Sequence, residues 1–353
     1  MMTFDIISPE EFKSFANNSQ YGNFMQSTER QALRQRMHYG THLLGVKRDG
    51  TLIAAGLLVV KDHEAWMQLG PLLDYADSDL LQFFLRQLTH FCEQHSIYEL
   101  EIYPPLLRSV RSIDGSSLAD YDRASIFDIF AANGFTHMGF SSKLDFKALR
   151  WMFVKDLKDL PTMRDVELSF NASTRKKYHK TLRELEIHVL KDKSELSDWL
   201  RPLEESNTRN HIKTRPLQYF EDLWDTFGDQ ATFVEARLPD TNAVVSSELD
   251  IWTPQESVAF LAGTTESLKH YNGITAIKGW QLAECLRRGQ TRANFYGIDG
   301  IFTSDNPLLK SKSGFGGVVE EYVGGFKRLI RPAKYYRKRV ASKIVNKLHR
   351  SKS

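Results

Sequence analysis

The apolar and polar positions of this chain predict the same order of elements in each half. In the first half, Asp49 and Gly50 separate two apolar runs, which is the signature of a β-hairpin with a type I′ turn. A further strand, a long amphipathic helix and another strand follow the hairpin. The predicted strands cover residues 42–61 as a hairpin, 66–69, 98–103, 140–144 and 152–157, and the predicted helices cover 9–16, 28–38, 78–95 and 125–132.

The second half begins with a strongly basic helix and then repeats the order of hairpin, strand, helix and strand. Its predicted helices cover residues 175–184, 194–207 and 272–288, and its predicted strands cover 186–190, 231–237, 243–252, 257–263, 293–298 and 318–323. Two copies of one supersecondary plan indicate a duplicated α/β (α+β) domain. We therefore divide the chain into a first domain (1–150), a second domain (151–326) and a basic tail (327–353) that could pack partly on the first domain.

Length and composition agree with this division. The chain has 353 residues, enough for two domains of roughly 150 residues each. Its 41% hydrophobic and 26% charged residues are typical of a globular protein. No apolar run reaches the roughly 18 residues of a membrane-spanning helix, and the amino terminus lacks the pattern of a secretion signal. We therefore expect a cytoplasmic protein, in which Cys92 and Cys285 are buried, reduced thiols.

The charge of the chain is unevenly distributed. The tail carries eleven lysines and arginines and no acidic residue, so the remainder holds 36 basic residues (47 minus 11) and 44 acidic ones. This pattern predicts that the tail attaches the protein to the anionic inner surface of the membrane. A tRNA-binding arm is the competing interpretation, and a merely solvated tail stays open. The candidate contact residues are Arg175, Lys176, Lys177 and Lys180 in the basic helix and Arg337, Lys338 and Arg339 in the tail.

The candidate chemistry lies between residues 294 and 326. A short aromatic strand ends at Tyr296, and a loop broken by glycine and proline follows. A lysine and a glycine-rich turn come next, namely Lys312, Gly314, Phe315, Gly316 and Gly317. Glycine allows the backbone to approach a ligand closely, and a lysine beside it can stabilise an anion. These residues alone are also compatible with a solvated loop between two strands.

Two motifs resemble the signature of the Fem-type aminoacyltransferases. One runs from Tyr296-Gly297 through the lysine and the glycine-rich turn to Glu320-Glu321-Tyr322, and the other is the string Gly-Pro-Leu-Leu-Asp-Tyr at residues 70–75. These enzymes add amino acids from aminoacyl-tRNA to the stem peptide of peptidoglycan precursors. The resemblance implies this activity, tandem acetyltransferase-like (GNAT) domains, and no cofactor or metal besides aminoacyl-tRNA as co-substrate. It points to the shorter members, because no long helical hairpin follows the basic helix.

The resemblance also implies roles for individual residues. Lys312 would stabilise the tetrahedral oxyanion of the transfer. Arg34, at the position of a family lysine, would bind the diphosphate of the precursor together with Arg215 and Tyr219. Arg36 is a second candidate on the same helix. The other substrate-contact candidates are Asp74, Tyr75, Tyr296, Gly314, Phe315 and Gly316.

Three positions depart from the family pattern. Ser311 stands where the family has a phenylalanine before the lysine, Arg30 where it has a tryptophan, and Tyr103 where it has an acidic residue, with Glu101 two residues earlier. The catalytic base is therefore unassigned, and Asp305 and Glu320 lie near the lysine in sequence only. We expect direct transfer, because no Ser-His-Asp or Cys-His arrangement has a meaningful spacing.

Three other functions stay open from the sequence. A coenzyme A-dependent N-acyltransferase would need a pyrophosphate-binding turn that opens a helix, whereas residues 314–317 precede a predicted strand. A nucleic-acid-binding protein without catalysis would explain the basic segments but not the two motifs. A Fem-like transferase could also act on a target other than peptidoglycan. We expect a monomer in each case.

Overall fold

The computed structural model describes residues 1–145, 147, 149–303 and 306–340. The strands in these residues are β1 (Met2–Ile6), β2 (Gly40–Arg48), β3 (Thr51–Lys61), β4 (Glu64–Gln68), β5 (Leu72–Leu73), β6 (Glu99–Tyr103), β7 (Leu107–Arg111), β8 (Ser117–Asp120), β9 (Thr136–His137), β10 (Trp151–Asp156), β11 (Glu186–Val189), β12 (Ala231–Arg237), β13 (Val244–Trp252), β14 (Ser257–Thr264), β15 (Arg292–Gly297), β16 (Val318–Tyr322) and β17 (Phe326–Leu329).

The α-helices are α1 (Pro9–Asn18), α2 (Thr28–Arg36), α3 (Ser78–Gln94), α4 (Ala124–Ala132), α5 (Met163–Leu168), α6 (Ala172–Glu184), α7 (Leu196–Arg209), α8 (Leu217–Phe227), α9 (Gly273–Arg287) and α10 (Pro307–Ser313). Residues 332–340 form one more helical segment at the end of the described chain. None of the helices in the described ranges is long and apolar enough to cross a membrane.

The described strands form two sheets, which follow one plan. The first has the order β1-β2-β3-β4-β6-β17-β9 with β5 beside β3, and the second has the order β11-β12-β13-β14-β15-β10-β16-β7-β8. In the first sheet the hairpin β2–β3 leads to β4, α3 and the parallel strand β6; in the second, β12–β13 leads to β14, α9 and the parallel strand β15. The predicted α/β fold with an internal duplication is confirmed.

Local sequence signals explain several of these elements. Asp49 and Gly50 both have a positive φ, as a type I′ turn requires, and Arg48 pairs with Thr51 across the turn. Asp77 caps α3 by accepting a hydrogen bond of 2.9 Å from the backbone N–H of Leu80. The buried side of α3 then packs into the core of the first sheet through Leu80, Leu81, Phe84, Leu85, Leu88, Phe91 and Cys92.

The strand predicted at residues 140–144 is absent from the described structure, where this stretch is a loop. The N–H of Leu144 donates to Asp299 Oδ1 at 2.7 Å, and the carbonyl of Ser142 accepts from the N–H of Gly300 at 2.7 Å. Leu144 therefore packs beside Gly297 at the end of β15, and Phe140 packs against Phe127 and His137. Elements that the sequence did not predict are β1, β5, β7, β8, β9, β17, α5, α8 and α10.

The two sheets exchange strands across the boundaries drawn at residues 150 and 326. The hairpin β7–β8, from the first half of the chain, pairs with β16 in the second sheet, and β17 pairs with β6 and β9 in the first sheet. Lys327 and Arg328 were assigned to the basic tail but lie in β17, where Lys327 forms an ion pair of 2.7 Å with Glu99. Buried Phe326 fixes this strand by stacking on Phe130, with ring centroids 4.0 Å apart.

Candidate active site

A cleft of about 570 Å³ lies between the two sheets. Helix α2 and strand β4 line it from the first domain, and α8, β14 and β15 line it from the second. Its charged and aromatic lining residues include Arg30, Arg34, Tyr39, Lys61, Trp66, Lys147, Arg215, Tyr219, Phe260 and Tyr296. The cleft therefore brings together Arg34, Arg215, Tyr219 and Tyr296, which the sequence singled out from three distant stretches.

Two arginines of α2 point into the cleft from one face of the helix. Ser27 caps α2 by accepting from the N–H of Arg30 at 3.0 Å, and this sets the register in which Arg30 and Arg34, four residues apart, share a face. Arg30 is 5% exposed and Arg34 is 9% exposed. Among the described residues, no carboxylate lies within 4.0 Å of either guanidinium or of Arg215. These three arginines thus have no carboxylate partner among the described residues, whereas the two carboxylates that line the cleft, Asp62 and Glu64, lie elsewhere in it.

The surroundings of Arg34 destabilise its charged form. Burial lowers the pKa of Arg34 to about 10, and repulsion by Arg30 adds to the effect. Its Nε has no hydrogen-bond partner, and its guanidinium carbon lies 5.1 Å from the ring centroid of Tyr39. Arg215 lies 5.5 Å from the ring centroid of Tyr219 on the opposite wall. Buried guanidinium groups with spare donors are suited to a multiply charged oxyanion.

Arg36 occupies a different environment from its neighbours on α2. Its Nη1 donates to Asp225 at 3.0 Å and to Asp222 at 3.2 Å, both on α8, and its side chain is 45% exposed. The structure therefore places Arg36 outside the cleft, as a link that holds α2 against α8. The helical period decides this outcome, because residue 36 projects about 200° around the helix from residue 34.

Lys312 approaches from the opposite face of the second sheet. Its Nζ donates to the carbonyl oxygens of Gly297 at 2.8 Å and Tyr296 at 3.3 Å. Tyr296 packs with the core next to α7 and α8, whereas its neighbour Phe295 packs with the core next to α6 and α9. The aromatic side chain of Tyr296 therefore faces the cleft, and its carbonyl oxygen binds the lysine behind it.

A gap between two strands connects the two faces at this point. Strands β14 and β15 pair in parallel only through Ser257–Ala293 and Val258–Asn294, and the described structure has no further pairing between them. Tyr296 has a φ of +68°, and its N–H donates to Asn294 Oδ1 at 2.8 Å. Such a conformation is rare for tyrosine and is typical of functional sites. It bends β15 at the mouth of the gap.

The ammonium of Lys312 sits in a poorly hydrated position. Burial lowers its pKa to about 7, and the positive charge of Lys278 contributes, whereas Glu248 opposes the shift. Its hydrogen bonds go to neutral carbonyl groups, and no carboxylate within the described part of the chain lies within 4.0 Å of it. A lysine of this kind can change protonation near neutral pH and can offer a charge to a developing oxyanion.

The sequence of this chain is similar to those of known proteins. The sequence model of the FemAB family matches residues 7–242 and 238–343, which is nearly the whole chain. The chain belongs to the FemAB family. It is 24% identical to aminoacyltransferase FemB of Staphylococcus epidermidis, over 98% of this chain and all of the relative. It is also 24% identical to aminoacyltransferase FemA of Staphylococcus aureus, over 95% of this chain and 97% of the relative.

Solved structures agree on the fold of this FemAB protein. The crystal structure of FemX matches with a TM-score of 0.79 at 15% identity and covers 95% of this chain and 99% of the other. A tandem GNAT protein from the clavulanic acid pathway matches with a TM-score of 0.58 at 11% identity, over 94% and 99% of the two chains. The predicted tandem GNAT architecture is confirmed. In the described residues β11 follows α6 directly, without a long helical arm, as predicted.

The glycine-rich motif of this FemAB protein docks α10 onto α6. The carbonyl of Gly314 accepts from the N–H of Asn171 at 2.9 Å, and a Cβ on Gly314 would overlap the hydroxyl of Thr174. Phe315 is buried against Phe170 and Phe295. Gly316 has a φ of +72°, which favours glycine. These residues lie outside the cleft, where they fix the helix that carries Lys312.

Asp74 and Tyr75 also lie away from the cleft. The hydroxyl of Tyr75 donates to the carbonyl of Pro71 at 2.8 Å inside the first-domain core, and Asp74 accepts from the N–H of Ala76 at 2.9 Å. At the position of the family's acid, buried Tyr103 donates to Glu101 Oε2 at 2.6 Å. Asp305 lies outside the described residues.

The basic candidates occupy two separate surfaces. The cations of α6 face solvent, and Arg175 also donates to the carbonyl of Leu168 at 3.4 Å. In the helical segment 332–340, Lys338 forms an ion pair of 3.1 Å with Glu64 beside the cleft, while Arg337 and Arg339 are exposed. The remainder of the tail, with Ile344, Val345 and Leu348, lies outside the described residues. The solvent-facing cations of α6 are Lys176, Lys177, Lys180 and Arg183.

Four residues that line the cleft were not predicted as site residues from the sequence, namely Arg30, Tyr39, Trp66 and Phe260. For Arg30 a signal was present, because it lies four residues before Arg34 on a predicted helix and thus on the same face. The other three residues carry no such signal. They reach the cleft through strand positions and turns that only the tertiary fold defines.

We expect Lys312→Met to fold normally and to lower amino-acid transfer at least about 100-fold, because one oxyanion-stabilising donor is lost. The ammonium form acts, and its pKa of about 7 lies below the usual value. The wild-type kcat/KM should therefore fall as the pH rises above about 7, and Lys312→Arg, which stays charged, should lose this descending limb while it rescues activity in part. Near-wild-type turnover of a folded Lys312→Met variant would contradict the assignment of Lys312 as the oxyanion-stabilising group.

Proposed function

We propose that this FemAB protein transfers an amino acid from aminoacyl-tRNA to an amine in the stem peptide of a peptidoglycan precursor, as in the building of interpeptide bridges. The observation that carries the proposal is the cleft with buried Arg30 and Arg34 from the first domain and exposed Arg215 from the second, none of them paired with a carboxylate in the described residues. The cleft meets, at Tyr296, the carbonyl groups that bind Lys312. Family membership and relatives named aminoacyltransferases support the reaction class.

The acceptor binds in the cleft under this proposal. Arg34 and Arg215 hold the diphosphate of a nucleotide-linked or lipid-linked muropeptide between the domains, and Tyr219 supports Arg215. Arg34, which is buried, and Arg215, which is exposed, both lack a counter-ion in the described residues. This favours a diphosphate, because two adjacent phosphates supply several charges and many acceptor oxygens at once. The stem peptide then runs along the cleft, and its amine reaches the gap at Tyr296.

The donor approaches the opposite face of the second sheet. The exposed cations of α6 lie beside α10, which carries Lys312, and they are suited to the phosphates of aminoacyl-tRNA. In the reaction the acceptor nitrogen attacks the ester carbonyl carbon, the carbonyl oxygen becomes negative, and the bond to the tRNA ribose oxygen then breaks. Lys312 stabilises the negative oxygen, and the proton of the amine ends on the released ribose hydroxyl. Aminoacyl-tRNA is the co-substrate, and no further cofactor is proposed.

Coenzyme A chemistry is the less favoured alternative on this fold. A pyrophosphate-binding turn should open a helix, whereas residues 314–317 lead into β16. The likeness to a tandem GNAT protein concerns the fold alone. Calorimetric titration with acetyl-CoA distinguishes the two possibilities, because an aminoacyl-tRNA-dependent enzyme should show no saturable heat.

A direct assay tests the proposed function. Purified protein is incubated with tRNAs that each carry one labelled amino acid, and with nucleotide-linked or lipid-linked muropeptides. We expect label to enter the muropeptide for at least one amino acid, and Lys312→Met provides the control for background hydrolysis. Absence of transfer with every charged tRNA and both acceptors would reject the proposal.

We expect Arg34→Ala and Arg215→Ala each to raise the KM for the muropeptide more than they lower kcat. Groups that hold a diphosphate bind it equally in the ground state and the transition state, so their loss weakens binding without slowing chemistry. An increase of at least about 10-fold is typical for charge-assisted hydrogen bonds. Steady-state kinetics at fixed aminoacyl-tRNA measures both parameters, and an unchanged KM in both variants would contradict the placement.

We further propose that the basic carboxyl-terminal segment attaches the enzyme to the inner face of the membrane. Residues 332–340 already expose Tyr336 and Val340 beside Arg337 and Arg339, and residues 341–353 add four cations and no acid. Exposed apolar groups among cations favour an anionic lipid surface. Because β17 belongs to the first sheet, a truncation that leaves the fold intact has to begin after Val340 and not after Phe326.

We expect truncation after Val340 to reduce sedimentation with anionic phospholipid vesicles by at least about 10-fold, since each cation near such a surface contributes about 1 kcal/mol. Activity on a soluble nucleotide-linked acceptor and affinity for charged tRNA should change little. Neutral vesicles serve as the control. If vesicle binding persists while tRNA affinity collapses, the segment binds nucleic acid and the membrane role is wrong.

A further inference from the structure

Arg30, like Arg34, differs from the buried cations that lie outside the cleft. Lys278 has Glu248 as a partner at 2.8 Å, and Arg150 has Glu321. Buried Lys155 donates to Ser169 Oγ at 2.6 Å and to the carbonyl of Phe315 at 2.8 Å. The side chain of Arg30 is 5% exposed, and in the described residues it has neither an ion pair nor a hydrogen-bond acceptor. Its five N–H donors remain available to a ligand.

Arg30 lies at the end of the cleft closest to Tyr296. The turn before α2 packs there, with the ring centroid of Phe24 5.1 Å from that of Phe260 and 6.2 Å from that of Tyr296. Burial raises the pKa of Tyr296, and Arg30 opposes this rise more strongly than Arg34 does. Arg34 instead lies against Tyr39, one helical turn further along. The two arginines of α2 therefore serve different parts of the cleft.

We propose that Arg30 binds an oxyanion of the acceptor at the end of the cleft near Tyr296, in addition to the contacts that Arg34 and Arg215 make. The inference rests on the proposed function, which assigns the diphosphate to Arg34 and Arg215. An oxyanion fits a guanidinium fork in bidentate geometry, and burial removes competing water. Two sources within the acceptor have this chemistry: a carboxylate of the stem peptide next to the reacting amine, or an oxygen pair of the diphosphate shared with Arg34.

The first test needs no knowledge of the natural acceptor. A buried cation without a counter-ion destabilises the empty protein, so Arg30→Leu should raise the midpoint of thermal unfolding in the absence of ligand. Inorganic pyrophosphate should stabilise the wild type against unfolding more than sodium chloride of equal ionic strength, and Arg30→Gln should reduce this shift. Arg48→Gln, which removes an exposed arginine paired with Asp77, is the matched control and should leave the shift unchanged.

A second test identifies the source of the anion. Calorimetry compares wild type and Arg30→Gln with three nucleotide-linked muropeptides, whose acceptor residue is lysine, diaminopimelate with a free carboxylate beside the amine, or the amidated form of the latter. A weakening of at least about 10-fold for the free carboxylate alone identifies the peptide carboxylate. An equal weakening for all three identifies the diphosphate.

Two results would overturn the inference. One is a lower unfolding midpoint for ligand-free Arg30→Leu together with an unchanged pyrophosphate shift in Arg30→Gln, which describes a purely structural arginine. The other is unaltered affinity of Arg30→Gln for all three acceptors while Arg34→Ala weakens them. These calorimetric tests measure binding and not transfer. A wild-type protein that binds the muropeptides but transfers no amino acid would therefore contradict the proposed reaction, while the role of Arg30 in binding could still be tested.

Discussion

The exchange of strands between the two domains fixes the cleft on which the site depends. Strand β16 of the second half pairs with β7 of the first, and the buried carboxylate of Glu321 on β16 is bonded to Arg108, Ser109, Arg111 and Arg150. The chain then returns to the first sheet as β17. Two crossings side by side, joined where the N–H of Val323 donates to the carbonyl of Leu106 at 2.9 Å, leave little freedom for one domain to rotate against the other. Arginines from both walls can therefore face each other without closing on a protein carboxylate.

The unpaired charges of Arg30 and Arg34 raise the free energy of the ligand-free protein. A buried ion pair would cancel the charge of Arg30 and Arg34, as Glu248 does for Lys278. No such carboxylate partner lies beside these arginines in the described structure. The lowered pKa of Arg34 shows that its charged form is less stable there than in water. A polyanionic ligand that enters the cleft removes the penalty as it binds, so part of its affinity comes from strain already present in the empty protein.

Local signals predicted most of the elements but few of their partners. The Asp49-Gly50 turn and the cap at Asp77 depend on residues close in sequence, and the predicted turn is confirmed. Strand β17 has only four residues within a basic stretch, and it exists because β6 and β9, more than 180 residues earlier, offer free edges. The same limit applied to the site. The spacing of Arg34, Arg215 and Tyr219 could be matched to a family, whereas the ion pairs of Arg36 with Asp222 and Asp225 of a distant helix could not be read from the sequence. Nor could the glycine motif be recognised as a docking surface for α6 before Thr174 was seen against Gly314.

Tyr296 is shared by the two proposed substrate sites. Its ring forms part of the wall of one site, and its carbonyl oxygen accepts a hydrogen bond from the lysine of the other. A ligand that displaces the ring therefore alters the bond that holds the ammonium in place, and protonation of the lysine alters the preferred position of the ring. Binding of the acceptor and proton affinity of Lys312 are then linked quantities, and each must change the other by the same factor. In an enzyme built in this way, binding at one face of the sheet changes the proton affinity of a group at the other face, and the domains do not have to move.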